Sequence, residues 1–109
     1  MATQLHFTYK KKEYTLEFTR KTVSVMERQG FVASQAVDRP MTMLPVMFAG
    51  AFMAHHPSVK RDLIDEIYEH MTNKEALIEK LGEMYNEPIA ALMDEPDEGA
   101  EGNVSWTAN

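Results

Sequence analysis

The chain has no cysteine, so it can build neither a disulfide framework nor a thiolate metal site, a composition that suits a reducing cytoplasm. Its glycines number five, and none falls in the spacing of a phosphate-cradling loop. No apolar run is long. The greasiest stretch, Met43 to Ala54 (MLPVMFAGAFMA), lies in a window from Pro40 to Val59 whose only ionisable side chains are His55 and His56. Twelve residues cover about 18 Å as a helix, short of the roughly 30 Å of hydrocarbon in a bilayer, and Pro45 and Gly50 interrupt even those. A membrane span is excluded. The opening MATQLHFTYK offers no apolar h-region, so no secretion signal is expected. Basic charge is scarce too, with 11 Lys and Arg against 17 Asp and Glu, for a net charge of -6. Without a basic stripe to neutralise phosphates, nucleic acid is a poor partner.

What is present suits one globular domain. The chain is 109 residues long, 44% hydrophobic and 26% charged, which is ordinary for a folded chain. The acidity belongs to the end: Asp94, Glu95, Asp97, Glu98 and Glu101 fall in the last sixteen residues, and the body is otherwise nearly neutral. We expect a single α+β domain over 1–95 and a flexible acidic tail over 96–109, with no internal repeat.

Leu5, Phe7 and Tyr9 alternate with His6 and Thr8, then Tyr14, Leu16 and Phe18 alternate with Thr15 and Glu17. Two period-two runs rich in aromatic and β-branched residues predict an antiparallel hairpin. Lys10, Lys11 and Lys12 lie at the turn, which is not the favoured Asn-Gly chemistry, so the register stays open. A short helix follows over about Arg20 to Gln29, with Val23 and Met26 on one side, Thr19 or Thr22 as its cap and Gly30 just past its end. The stretch from Phe31 to Arg39 has no period and reads as a loop carrying Phe31 and Val32 into the core.

The central apolar segment predicts a helix greasy all round, starting near Asp38–Pro40 or Thr42–Pro45 and running to about His55. Pro57 and Ser58 predict the start of the next helix, with Val59, Leu63, Ile64, Ile67, Tyr68 and Met71 at helical spacing and an opposite charged face. Thr72-Asn73-Lys74-Glu75 matches a capping box and opens the last helix, with Leu77, Ile78, Leu81, Met84 and Tyr85 apolar. Gly82 there suggests close packing against a neighbour. Pro88 lacks its N–H and clashes one turn back, so the helix is expected to kink or restart there, followed by a short turn from Ile89 to Met93. The architecture predicted is an N-terminal β-hairpin packed on three to four α-helices, with a disordered acidic C-terminal tail.

Chemistry is hard to find. His55 and His56 are adjacent, about 100° apart on a helix, so they cannot readily share one ion. They read instead as a polar helix end suited to the macrodipole. Ser24, Ser34, Ser58 and Ser105 lie in no nucleophile-elbow context. Asp62, Asp65, Glu66 and Glu69 read as a solvated face. We expect no enzyme, no cofactor and no metal. Nine methionines are many for this length. Met41, Met43, Met47 and Met53 crowd the central segment, which reads as core or as an adaptable partner-binding surface. The candidate partner-binding residues are Met43, Met47, Phe48, Phe52, Met53 and, in the tail, Trp106. With Val104, Trp106 reads as an aromatic that folds back on the body or docks elsewhere.

Nearly the whole chain then resembles a known family. FTYKKKEYTLEFTRKTVSVMERQGF, LPVMFAGAFMAHHPSVKRDLIDEIYEHMTNKEALIEKLGEMYNEPIAAL and the acidic tail with EGNVSW resemble small proteins from the tail modules of siphophages and prophages of Gram-positive bacteria, which look like tail assembly chaperones. The resemblance rests on overall pattern, not on a catalytic signature, and supplies no active residues. It implies a non-enzymatic chaperone that binds and solubilises the tape measure protein, helps recruit the tail tube protein, acts as a homo-oligomer in the host bacterial cytoplasm and is absent from the mature virion. It also implies that a longer, frameshifted form could extend the tail. Two alternatives stay open: a structural tail or head-tail component retained in the virion, and a small intracellular regulatory dimer.

Overall fold

The structure is a computed structural model, and it describes residues 3–36, 38–94 and 102–108. Strand β1 (Leu5–Tyr9) pairs antiparallel with β2 (Lys12–Leu16). Among the described residues four α-helices follow: α1 (Arg20–Arg28), α2 (Pro40–Gly50), α3 (Arg61–His70) and α4 (Lys74–Met93), with a 3-10 turn at Ala33–Ala36 between α1 and α2. This is an α+β fold of a hairpin and four helices.

The register is fixed at Leu5 opposite Leu16, Phe7 opposite Tyr14 and Tyr9 opposite Lys12. That leaves Lys10 and Lys11 as a two-residue connection, both at positive φ (48° and 67°). Such a turn matches the right-handed strand twist, which is why short hairpins use it even where, as here, side chains make the left-handed region costly. The alternation then sorts the faces. Tyr14 and Leu16 are buried and Leu5, Phe7 and Tyr9 half-buried, while His6, Thr8 and Glu13 face water.

Both ends of α1 follow from local sequence. Thr19 and Thr22 exchange side-chain-to-backbone hydrogen bonds, with the Thr22 N–H donating to Thr19 Oγ1 at 3.1 Å and the Thr19 N–H donating to Thr22 Oγ1 at 2.8 Å. At the other end Gly30, at φ 94°, donates to the Glu27 carbonyl and Phe31 donates to the Met26 carbonyl. That pair of bonds is a Schellman motif, whose left-handed residue is best filled by glycine. It turns Phe31 into the core, as expected, but Val32 stays exposed.

The apolar segment is central. Helix α2 packs against α1, α3, α4 and the 3-10 turn, and Met43, Met47, Phe48, Ala51 and Phe52 are buried. Pro40 occupies its first turn, so the earlier of the two expected starts is used, and Pro45 is accommodated inside the helix. Regular helix ends at Gly50, sooner than expected, and turns carry the chain through Ala51–His55. Gly50 marks the close approach: a Cβ there would run into the Met26 thioether. Each fully buried Phe contributes about 1.5–3 kcal/mol relative to exposure.

Four local expectations fail. Pro57 and Ser58 sit in a turn, and α3 begins at Arg61 with Lys60 as its N-cap. The Thr72–Glu75 capping box does not form. The N-cap is Asn73, left-handed at φ 50° and making no side-chain cap bond, while Lys74 Nζ donates to the carbonyls of Glu69 and Met71 and so ties the new helix to the end of α3. Nothing lies within 4 Å of a Cβ at Gly82, so close packing does not explain that residue. Finally, α4 does not restart at Pro88, and Ile89–Met93 is not a separate turn: the helix runs on to Met93. Proline costs α4 the bond to the Met84 carbonyl, and the helix tolerates that loss. Of the expected tail, 96–101 and 109 lie outside the described residues, and 102–108 are exposed without helix or strand.

Candidate partner-binding site

The six residues singled out by sequence separate into two environments. Met43, Met47, Phe48 and Phe52 are buried, Phe48 with 0% exposure. The rings of Phe48 and Phe52 pack edge to face at 5.2 Å, and Phe52 meets Tyr14 and Phe7 of the hairpin. As partner-binding residues these four are corrected to core, because the hairpin and the other helices already occupy their surfaces. Met53 is half-buried and lines a small cavity of about 190 Å³ with Met26, Val46 and Gly50. Trp106 is 80% and Val104 86% exposed.

The open apolar surface lies elsewhere. The buried face of α4 carries Leu77, Leu81, Met84 and Tyr85, and the same stripe continues at helical spacing through Ile89, Leu92 and Met93. There the core has ended, and Leu92 is 55% and Met93 81% exposed. Beside this stripe is a cleft of about 530 Å³ between the start of α1 and the last turns of α4, with Phe18, Arg20, Pro88, Ala91 and Leu92 on its walls. Phe18 is buried and packs edge to face on Tyr85 at 5.4 Å, so the cleft has a rigid aromatic floor. Glu87, also on the wall, accepts from the Thr3 N–H through both carboxylate oxygens, at 3.2 Å each. Arg20 is exposed, and among the described residues no carboxylate pairs with it. The cleft is thus an apolar trough with one uncommitted cation at its rim.

The polar groups that looked most like chemistry do structural work. His55 Nε2 lies 2.6 Å from Glu17 Oε1, and this contact, with a further bond from Gln4, holds the Glu17 carboxyl below the usual carboxylate range. His56 Nε2 accepts from the Thr15 N–H at 3.0 Å. Burial, helped by Lys12 and His55, lowers the pKa of His56. The Glu17 N–H donates to the Ala51 carbonyl at 3.0 Å. The turn after α2 therefore closes the outer edge of β2, so the polar-helix-end reading of the two histidines is replaced by an edge-capping role. Glu66 is not merely solvated either. It accepts from Tyr9 Oη at 2.6 Å and from Lys10 Nζ at 3.1 Å, contacts that lower its pKa and clip the hairpin turn to α3. Among the described residues no three His or acidic side chains are grouped to hold a metal, and no helix is long and apolar enough to cross a membrane.

Over its full length, residues 1–109, the sequence matches the family described as Domain of unknown function (DUF5055). The chain belongs to the DUF5055 family. No curated protein and no solved structure matches it. Among the exposed apolar features of this DUF5055 chain are the cleft and the α4 stripe. Sequence reasoning missed both: it expected the helix to kink or restart at Pro88 and so took Ile89 to Met93 for a short turn.

Proposed function

We propose that this chain is a phage tail assembly chaperone that binds the tape measure protein, keeps it soluble and helps recruit tail tube subunits as a homo-oligomer, acting in the host cytoplasm and leaving before the virion is complete. The resemblance of the sequence to tail-module chaperones supplies the identity of the client. The observation that carries the binding mode is the uncovered Ile89–Leu92–Met93 stripe beside the cleft. An amphipathic helix lays its apolar face into such a groove through anchors spaced three and four residues apart, and methionine at the rim adapts to irregular anchors. An elongated helical client offers many such anchors, so many copies can coat it.

The test is co-expression with the tape measure protein encoded alongside, followed by size-exclusion chromatography with light scattering. The expected result is a soluble client eluting with many copies of this chain. An insoluble client with this chain eluting alone overturns the reading. Mass spectrometry of purified virions separates it from a structural tail component, because a chaperone is missing from the particle.

A further inference from the structure

We propose that the outer edge of β1 pairs antiparallel with β1 of a second copy of this chain, joining two hairpins into one four-stranded sheet. The two-residue turn at Lys10 and Lys11 makes Tyr9 and Lys12 a hydrogen-bonded pair, and with them Phe7 and Tyr14, and Leu5 and Leu16. The backbone groups of the residues in between point outward: Glu13, Thr15 and Glu17 on the β2 side, His6 and Thr8 on β1. On the β2 side the chain uses two of these groups itself. The Thr15 N–H donates to His56 Nε2 and the Glu17 N–H to the Ala51 carbonyl, at 3.0 Å each. On β1, among the described residues, no backbone carbonyl or side chain accepts from the N–H of His6 or Thr8, and no strand but β2 runs alongside.

The bare edge is undefended. Sheets that must stay unpaired blunt an open edge with proline, a bulge or lysine, and Leu5–Tyr9 (LHFTY) has none of these. The apolar row on its core-facing side is also unfinished. Tyr14 and Leu16 of β2 are buried, whereas Leu5, Phe7 and Tyr9 of β1 are half-buried. A further strand beside β1 therefore has apolar area left to cover.

The strand that fits is β1 itself. With a two-fold axis at Phe7, the two Phe7 residues face each other as a non-hydrogen-bonded pair, where side chains come closest. His6 of each copy then faces Thr8 of the other, and these pairs make the backbone bonds that the edge leaves unmade. Leu5 faces Tyr9, and no like charges meet. The outer edges of the joined sheet are the two β2 edges, which each chain already caps, so the contact closes on itself. That explains why the chain caps one edge of its hairpin and leaves the other bare. The chain's own 102–108 segment has no strand to offer and would lose backbone entropy on ordering, whereas β1 is already formed in both copies. In naming an interface the inference rests on the homo-oligomer of the function proposed above, and its test contains no client, so the two can fail separately.

Light scattering on the full chain over roughly three decades of concentration, micromolar to millimolar, should show the mass rise from one chain to two. Thr8→Pro removes an N–H that the hairpin does not use, so it should keep the circular dichroism of the wild type and the mass of one chain throughout. The register is tested by cross-linking, which the absence of native cysteine keeps clean. Opposed His6 and Thr8 lie about 5.5 Å apart at Cα, within reach of a disulfide. An equal mixture of His6→Cys and Thr8→Cys chains treated with diamide should give covalent dimers, and each variant alone far fewer. A wild-type chain of single mass at every concentration, a dimer that survives Thr8→Pro, or a mixture that cross-links no better than its components would each overturn the proposal. Amide exchange covers the remaining case: a single chain with His6 and Thr8 amides protected would put its own tail on the edge, and that too overturns it.

Discussion

His56 Nε2 accepts a hydrogen bond from the backbone N–H of Thr15 at 3.0 Å, and it can do so only while that nitrogen carries no proton. The bond closes an edge of β2 that would otherwise be open, and it fixes the turn after α2 against the hairpin. Its pKa is lowered, first by burial and then by Lys12 and His55. The unfolded chain therefore takes up a proton at His56 before the folded one does. The stabilisation is fully present above the ordinary histidine value of about 6.5 and is lost as pH falls through the lower folded value. Thermal melts at pH 7.5 and 5.5 should show a drop in Tm for the wild-type chain and a smaller drop for His56→Gln, whose side-chain oxygen can accept without titrating. Equal drops would mean that His56 does not set the acid sensitivity.

Core and binding surface should separate by mutation. Phe48→Ala removes a fully buried ring and is expected to cost about 3–5 kcal/mol, read as a lower urea midpoint. Leu92→Gln with Met93→Gln alters only exposed side chains and should leave stability within about 0.5 kcal/mol per site. That double variant should nonetheless lose co-elution with the tape measure protein. Retained co-elution would move the client site away from α4.

The hairpin turn is built from residues that dislike it. Lys10 and Lys11 are both left-handed, a conformation costing roughly 1–2 kcal/mol per ordinary residue. Replacing Lys11 with Gly, or the pair with Asn-Gly, should stabilise the fold by about 1 kcal/mol. The gain from the pair is reduced by losing the contact between Lys10 and Glu66, which is exposed and therefore weak. Chemical denaturation of the three chains ranks them.

Two helical glycines should respond oppositely to alanine. Gly82→Ala meets empty space and should gain about 1 kcal/mol from helix propensity. Gly50→Ala runs into Met26, which is itself buried in the core, and overpacking there is expected to cost about 1–3 kcal/mol. A gain at both positions would show that the junction of α1 and α2 is loosely packed.

The elements legible in sequence are those whose signal is repeated. Alternation in Leu5–Phe7–Tyr9 and Tyr14–Leu16 places the hairpin, and the 3–4 spacing of Ile64, Ile67 and their neighbours places α3. The Thr19 cap and Gly30 bound α1. The failures are single-residue signals overridden by tertiary contacts. Ser58 is a good cap with no helix to cap, because the chain there is still turning away from β2. The Thr72–Glu75 match is chemically sound, but Lys74 reaching back to the carbonyls of Glu69 and Met71 holds the junction in another geometry. At Pro88 the loss of one bond is too small to end a helix anchored for three turns. Missing that continuity hid the cleft. Of the candidate site, Trp106 and Met53 remain accessible at least in part, while the methionine and phenylalanine cluster is core because a stretch greasy on every side is also what the centre of a small fold requires.

Helix α4 is in effect a cantilever. Its root is clamped by Leu77, Leu81, Met84 and Tyr85, and its free end projects past Pro88, the residue that removes a strut from the helix at the point where support ends. Load placed on the overhang is therefore borne by the last two turns and not transmitted to the core. Under the function proposed above, a sequence can retune Ile89, Leu92 and Met93 for a different client without renegotiating the stability of the body. Amide exchange along α4 should accordingly step up beyond Met84 in the free chain and slow there when the overhang is occupied.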